Sequence, residues 1–453
     1  MPSSHRPALR AAARNSALLE TIFMVGLVIV IATVIFTYQL VSSSHDDREL
    51  HLSLPRQQSS HLVQKSSTHE ISLRGAGGRA HKNRSGDSHL GGFQHFLTIA
   101  QDLAALSPDQ ALSQLDQNDP FGTRTFDARL VERETSLRRI LTLEEIKEIF
   151  PCPREDERLT LPDVRDKKKA REFREGKRGT FLFFQHLRKA GGTNFCSLAE
   201  KNLPRSAQPR YYCMPDMGWS GNKNAGYLHS WSNHEITTRM LSSGFRIAGN
   251  EWENFDVSRH FDLPAIFATS FRKPLDRALS QFRFECIEDR GCVTKDVHQW
   301  WDRRKDLWNV YTRTFSDPAV GVKEYFRGSH VQERMNLMAT AIDTLSKFHI
   351  VLCMEFLAYA APQVKSILGF QDVSALTTRV RPHISQAVRD DGQDRNILGS
   401  AGIKEASWDP KDYLDKDQYK RMSEDLALDE ILTDVARRMF LERLVCEDDT
   451  NDS

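Results

Sequence analysis

The sequence predicts an α/β domain, a mostly parallel central sheet flanked by helices, on an N-terminal transmembrane anchor and stem. Three stretches predict it. Residues 180–200, TFLFFQHLRKAGGTNFCSLAE, read as a short buried strand, a tight basic loop and the start of a helix. Residues 264–284 repeat that order about 80 residues later: an apolar run, a turn carrying Arg272, Lys273 and Pro274, then a helical pattern. Strands alternating with helices favour a parallel sheet. Residues 21–41, TIFMVGLVIVIATVIFTYQLV, contain no charged residue.

In chain order, residues 1–20 read as a cytosolic tail. The 21 residues of the apolar run, at roughly 1.5 Å each, span about 31 Å as a helix, the thickness of a bilayer core. Arg6, Arg10 and Arg14 precede the run and Asp46 and Asp47 follow it, which places the N-terminus in the cytosol and the body in a lumen or outside the cell. The run is longer than a signal-peptide core, so an uncleaved anchor is expected, with cleavage near Ser42–Ser44 as the alternative. Residues 42–91, rich in Ser, His, Gln and Gly, lack an apolar period and read as flexible stem; Asn83-Arg84-Ser85 is a glycosylation sequon.

Phe93, Phe96, Leu97, Ala100 and Leu103 then fall at helical spacing, ended by Ser107-Pro108. A second helix is expected to run towards Phe150, with a Thr142/Glu145 capping box part-way along and Pro151-Cys152-Pro153 as its stop. These helices read equally as stem, oligomerising coil or lid. Residues 165–179, RDKKKAREFREGKRG, read as a solvated linker face or as a grip on an acidic polymer. The resulting division is stem with helical segments over 42–175, catalytic domain over 176–446 and acidic tail over 447–453. A formal net charge of +1 excludes the global basic field of many nucleic-acid binders, so no nucleic-acid partner is expected.

A strand, a glycine loop and a helix N-terminus make a phosphate site, because first-turn N–H groups lack helical partners and the helix dipole favours an anion. Gly191 and Gly192 allow close backbone approach, and Lys189 adds charge. Here the lysine precedes the glycine pair, unlike G-x-x-x-x-G-K-[ST], so a nucleotide is indicated but an ordinary ATPase or kinase is not. Arg272 ends the later strand, and Ser280 lies two helical turns on; a guanidinium fork plus a hydroxyl suits a second phosphate. Two such sites imply a ligand with phosphates at both ends. FRIAG (245–249) reads as a further strand, followed by Asn250-Glu251-Trp252.

HLRKAGGTNF (186–195) resembles the 5′-phosphosulfate loop of Golgi carbohydrate sulfotransferases, close to H-x-x-K-T-G-G-T-T/S-F. SFRKPLDRALSQF (270–282) resembles that family's 3′-phosphate motif, L-R-D-P-x-x-R-x-x-S-x-F. The heparan sulfate 2-O- and 6-O-sulfotransferases are the nearest in pattern. Weaker likeness continues in ERMNL (333–337), FHIVLCME (348–355) and the stretch 412–444, so the resemblance covers about 180–445.

The resemblance implies a P-loop sulfotransferase-like fold and a single-pass type II Golgi membrane protein with a lumenal catalytic domain. Its activity would be transfer of a sulfuryl group from 3′-phosphoadenosine 5′-phosphosulfate to a glycan hydroxyl, without a metal. Lys189 would steady the leaving 5′-phosphate, cradled by Gly191, Gly192, Thr193 and Asn194, while Arg272 and Ser280 would hold the 3′-phosphate. Departures from the pattern are Ala190, Asn194 and Lys273; the last stands to strengthen the phosphate site.

The acceptor's base is less determined. Relatives often carry a His in G-H-x-x-[FW], where this chain has Gly249-Asn250-Glu251-Trp252; Glu251 is one candidate. His229, in GYLHSWSNHE after Gly218-Trp219-Ser220, is the other, and neither is the third possibility. Arg381, in a loop that closes over the donor in that family, is a phosphate contact or a surface arginine. Tyrosylprotein sulfation and a catalytically inactive glycan-binding membrane protein are the alternatives to glycan sulfation. Of seven cysteines, Cys286 and Cys292 suit a short disulfide loop, while Cys196 and Cys353 lie in apolar runs and read as core thiols. No C-x-x-C pair or histidine cluster indicates a metal.

Overall fold

The computed structural model describes residues 89–160, 167–209, 213–215, 228, 231–288, 292, 294, 296–316, 330–377 and 414–446. The anchor at 21–41, the sequon at Asn83 and the acidic tail lie outside them. Among the described residues no helix is long and apolar enough to cross a membrane.

The apolar stripe starting at Phe93 forms α1 (His89–Ala105), with Phe93, Phe96, Ala100 and Leu103 buried. Pro108 starts α2 (Pro108–Asn118) after the cap residue Ser107. The expected second helix is three, α2 and two more. α3 (Thr123–Leu137) ends where Arg138 turns left-handed, φ 54°. The Thr142/Glu145 box then opens a new helix, α4 (Leu143–Ile149), rather than sitting inside one: Glu145 N–H donates to Thr142 Oγ1 (3.3 Å), and Thr142 N–H to Glu145 Oε2 (2.8 Å).

From residue 89 onward these helices are not stem, and the domain does not begin at 176. Phe93, Phe126, Leu141 and Phe150 belong to the same buried cluster as the sheet and the last helix. Phe126 meets Phe356 edge to face, ring centres 5.3 Å apart. The Arg334 guanidinium closes the end of α1 by donating to the carbonyls of Ala104 (2.8 Å) and Ala105 (3.1 Å). The basic stretch expected as linker contains α5 (Lys167–Arg174), anchored by buried Ala170 and Phe173.

Next come β1 (Phe181–Gln185), α6 (Gly192–Asn202), α7 (Asn233–Ser243) and β2 (Ile247–Asn250). They are followed by β3 (Ala265–Phe271) and α8 (Pro274–Arg283), prolonged by a π turn at Phe284–Glu288. α9 (Val297–Arg303), α10 (Val310–Ser316) and α11 (Val331–Ser346) precede β4 (Ile350–Cys353). α12 (Ala361–Leu368), α13 (Lys416–Asp425) and α14 (Ala427–Val445) complete the described chain.

The sheet is parallel throughout, in the order β2-β1-β3-β4. Every strand residue is buried, as expected of a parallel sheet covered on both faces. From β1 the chain crosses to β2 on one side, and from β3 to β4 on the other. Right-handed crossovers in opposite directions put their helices on opposite faces and open a crevice at the carboxyl ends of β1 and β3.

Three disulfides close the domain: Cys152–Cys446, Cys196–Cys213 and Cys286–Cys292. Cys196 is therefore not a core thiol; it ties α6 to Cys213, whose carbonyl accepts the Gly249 N–H of β2 (2.7 Å). Cys353 is a buried thiol, pushed well above its ordinary pKa by desolvation. A thiol reagent should accordingly find one reactive cysteine per unreduced, unfolded chain and none in the folded one. Cys152→Ser should raise the first count to two and lower stability by about 2–4 kcal/mol in denaturant unfolding. An unchanged thiol count and midpoint would show that the bridge between the N-terminal helices and α14 does not form.

Candidate functional site

The loop between β1 and α6 spans the carboxyl edge of the sheet. At its start, His186 Nδ1 lies 3.9 Å and Arg188 Nε 3.6 Å from Glu251 Oε1, just beyond the end of β2. At its end, Gly191 faces Met354, the residue after β4. β3 lies between β1 and β4, so the loop arches over the end of β3, the strand that runs into Arg272. The β1–α6 loop and Arg272, both singled out from sequence, thus lie at the same edge of the sheet.

Local packing dictates the glycine pair. Gly191 has φ +96°, and a Cβ there would collide with the Met354 sulfur; a Cβ on Gly192 would lie inside the His186 ring. His186 is held by stacking on Phe184, itself stacked on Phe195 with ring centres 4.1 Å apart. The glycines thus admit close contact with His186 and Met354, and α6 begins one residue earlier than Thr193, at Gly192. Lys189 is also left-handed, φ 64°, a conformation costing a non-glycine residue about 1–2 kcal/mol.

The Lys189 ammonium rests over the Phe284 ring, 3.5 Å from its centre. Phe284 N–H bonds the Ser280 carbonyl, so Ser280 stands one turn earlier on the same face of the helix. The Ser280 side is therefore the side that Lys189 covers. Arg272 is half-buried; its backbone is fixed by Tyr311, whose hydroxyl donates to the Arg272 carbonyl (3.0 Å). Among the described residues its guanidinium makes no hydrogen bond or ion pair, and the hydroxyls of Ser280 and Thr193 are equally unengaged.

Other candidates are placed differently. The Asn194 side chain donates to the Ala375 carbonyl (2.9 Å), which ties α6 to a short 3-10 turn. The Lys273 ammonium does not strengthen the crevice; it turns to Asp127 of α3 (3.0 Å). Although burial pulls the Lys273 pKa down, the Asp127 carboxylate more than offsets it and the net shift is upward. The Lys273 N–H donates to Glu355 Oε1 (2.8 Å), beyond β4. His229, the Gly218-Trp219-Ser220 segment and Arg381 lie outside the described residues.

Sequence reasoning passed over His186 and Arg188, although both stand in the quoted loop. Their proximity to Glu251 depends on β2 pairing beside β1, which no local pattern records. Arg188 also stacks on Trp252, guanidinium carbon 4.3 Å from the ring centre. Burial pulls the Arg188 pKa below its ordinary value, opposed by Glu251. Beneath the loop the strand ends carry polar side chains that bond one another: Asn250 Nδ2 donates to Gln185 Oε1 (3.0 Å), and Thr269 Oγ1 to the Gln185 carbonyl (3.0 Å).

Away from this crevice, an open cavity of about 710 Å³ is lined by His298, Asp415 and Arg421 and holds none of the predicted site residues. Among the described residues no group of His, Cys, Asp and Glu is arranged to hold a metal. Comparison of the chain with protein-family models, curated proteins and solved structures finds no match.

Gly192→Ala should destabilise the protein by about 1–3 kcal/mol, as overpacking does, because the new methyl displaces the His186 ring. Adding His186→Ala should recover most of that loss, a coupling readable in a double-mutant unfolding cycle. Additive losses would mean that the ring does not seat on Gly192.

Proposed function

We propose that the chain is a P-loop-like sulfotransferase, transferring a sulfuryl group from 3′-phosphoadenosine 5′-phosphosulfate to a hydroxyl, with a glycan as acceptor. One observation carries the reading: a lysine-bearing loop at a helix N-terminus arches over the end of β3, just past which the Arg272 side chain has no described protein partner. A half-buried guanidinium in that position suits an anionic ligand. The topological crevice is also where open parallel sheets bind ligands.

In this reading Arg272 and Ser280 grip the 3′-phosphate, while the first-turn N–H groups of α6 with Thr193 take the 5′-phosphate. Asn194 contributes through its backbone, since its side chain serves Ala375. Lys189 leaves the Phe284 ring for the bridging oxygen. That contact is worth about 0.5–2 kcal/mol and a charge-assisted bond about 1.5–3 kcal/mol, so the exchange is favourable. The aromatic seat keeps the ammonium on the correct side until then.

Glu251 is the base candidate in the described region, at the loop's start. Its closeness to Arg188 favours a second reading, a chain that binds the donor and a glycan without transfer, with Glu251 as a structural anion. His229 stays a candidate in the same role, and a tyrosine hydroxyl is the alternative acceptor. The Golgi lumen and an uncleaved anchor remain the expected setting for this donor.

Binding tests the two-phosphate reading. By calorimetry, Arg272→Ala should weaken adenosine 3′,5′-bisphosphate by roughly 10–150-fold, the equivalent of about 1.5–3 kcal/mol. It should leave adenosine 5′-phosphosulfate, which lacks the 3′-phosphate, nearly unchanged. Equal losses for both ligands would make Arg272 structural.

Turnover tests the rest, with radiolabelled donor offered to polysaccharides and tyrosine peptides. Lys189→Ala should slow transfer about a hundred- to a thousand-fold (~3–4 kcal/mol) while donor affinity falls far less, because charge on the bridging oxygen grows only as the bond breaks. Glu251→Gln should keep affinity and lose turnover if Glu251 is the base. Full activity with His229→Ala inactive would transfer the role to His229. Donor binding without labelling of any acceptor would favour the non-transferring reading.

A further inference from the structure

Helix α5 and its neighbour α12 carry a set of cations that the crevice does not use. Residues 165–179 hold eight Lys and Arg against three Asp and Glu, in a chain whose totals are 62 and 61. The charge is concentrated in one place rather than spread.

Folding fixes these cations on a rigid face. Buried Ala170 and Phe173 seat α5 on the domain; Phe173 meets Phe370, Arg246 stacks over the Phe173 ring (4.4 Å), and Arg174 donates to the Ser366 carbonyl of α12 (2.6 Å). The opposite face leaves Lys167, Lys168 and Arg171 in solvent, with the Arg171 side chain 65% exposed. Arg178 beyond the helix and Lys365 on α12 are exposed as well. Glu172 is taken by Lys177 (2.5 Å), and Glu175 sits 3.9 Å from Arg171. Among the described residues Lys167, Lys168, Arg178 and Lys365 have no ion pair, and α12 has no acidic residue.

We infer that α5 with Lys365 is a docking face for an anionic polysaccharide, one carrying sulfates or carboxylates. The cations lie spread along the exposed faces of two helices, so an extended polyanion gains from them where a single anion does not. A membrane surface fits less well, because the apolar residues of α5 are already buried and none remain to insert. Single-stranded nucleic acid fits less well too: the one aromatic residue of the stretch, Phe173, is buried and offers no base a stacking surface. α5 leads into the start of β1, whereas the crevice lies at the strand ends. The face is thus a site at the far end of the sheet, and it does not depend on the sulfuryl-transfer reading.

The test is salt-dependent binding of the full chain to heparin and to dextran sulfate, with uncharged dextran as control. Wild type should bind both sulfated polymers and not dextran, with affinity falling steeply as salt rises through release of counterions. Lys167→Gln/Lys168→Gln/Arg171→Gln should weaken binding at least tenfold and flatten the salt dependence. Lys416→Gln/Lys420→Gln, exposed cations on α13, should leave both unchanged. The α5 triple variant should melt like wild type. Wild-type binding by the triple variant, or an equal loss in the α13 pair, would overturn the assignment. Tighter binding to anionic vesicles or single-stranded DNA than to the sulfated polymers would overturn the choice of polysaccharide.

Discussion

The Asp127 carboxylate holds together parts of the chain that are remote in sequence. It receives the Lys273 ammonium (3.0 Å) from the β3–α8 turn and the Arg437 guanidinium (2.9 Å) from α14. Arg437 in turn lies 3.5 Å from Asp434, which accepts from Thr123 Oγ1 (3.0 Å) and Arg124 Nε (2.9 Å) at the start of α3. Burial alone would raise the Asp127 pKa, yet the two cations hold it below the ordinary value. Removing Asp127 would strand the buried Arg437 guanidinium, which is unfavourable, while the half-exposed Lys273 would lose less. The N-terminal helices are therefore bolted to the turn next to Arg272, and a domain cut at 176 would leave Lys273 and Arg437 facing an absent anion.

That constraint changes the meaning of the candidate loop. A flexible glycine loop would have to be ordered by its ligand. Here the His186 ring on Gly192, Met354 on Gly191 and the left-handed Lys189 fix the loop before any ligand arrives. Preorganised donors are worth more than mobile ones, because ordering is already complete when the anion binds. The conformational cost at Lys189 is sustained by packing on both sides: the β1 aromatic stack below and the β4 end above.

The strands and the helix starts were legible because their signals are local. The run 181–184 reads as a buried strand and is one, Pro274 does begin α8, and Ser107-Pro108 does separate α1 from α2. Most misjudged features depend on long-range pairing, one on a turn with no local marker. Thr142 looked like a mid-helix box because the turn at Arg138 carries no glycine or proline to announce it. Cys196 looked like a core thiol because Cys213 reaches it only once β2 pairs with β1. The helices of 89–149 looked like stem because their partners, Phe356 and α14, come more than 200 residues later. In the crevice, Arg272 was legible as a strand-end cation, whereas the partners of Glu251 were not.

Arg272 and Lys273 are adjacent in sequence and carry the same charge, yet their surroundings separate them. Lys273 is fully engaged: its ammonium has Asp127 and its N–H has Glu355 Oε1. With the next residue's side chain and backbone both held, and Pro274 fixing φ at the first position of α8, the turn has little freedom left. Arg272 is thereby pinned at its backbone, while among the described residues its guanidinium makes no hydrogen bond or ion pair. A stability role alone would favour the reverse, with the half-buried guanidinium paired first, because desolvation without a partner is unfavourable. The fold instead uses its available carboxylates to fix the neighbour. Among the described residues the Arg272 guanidinium is thus a half-buried cation without an ion pair, held just past the end of a parallel strand.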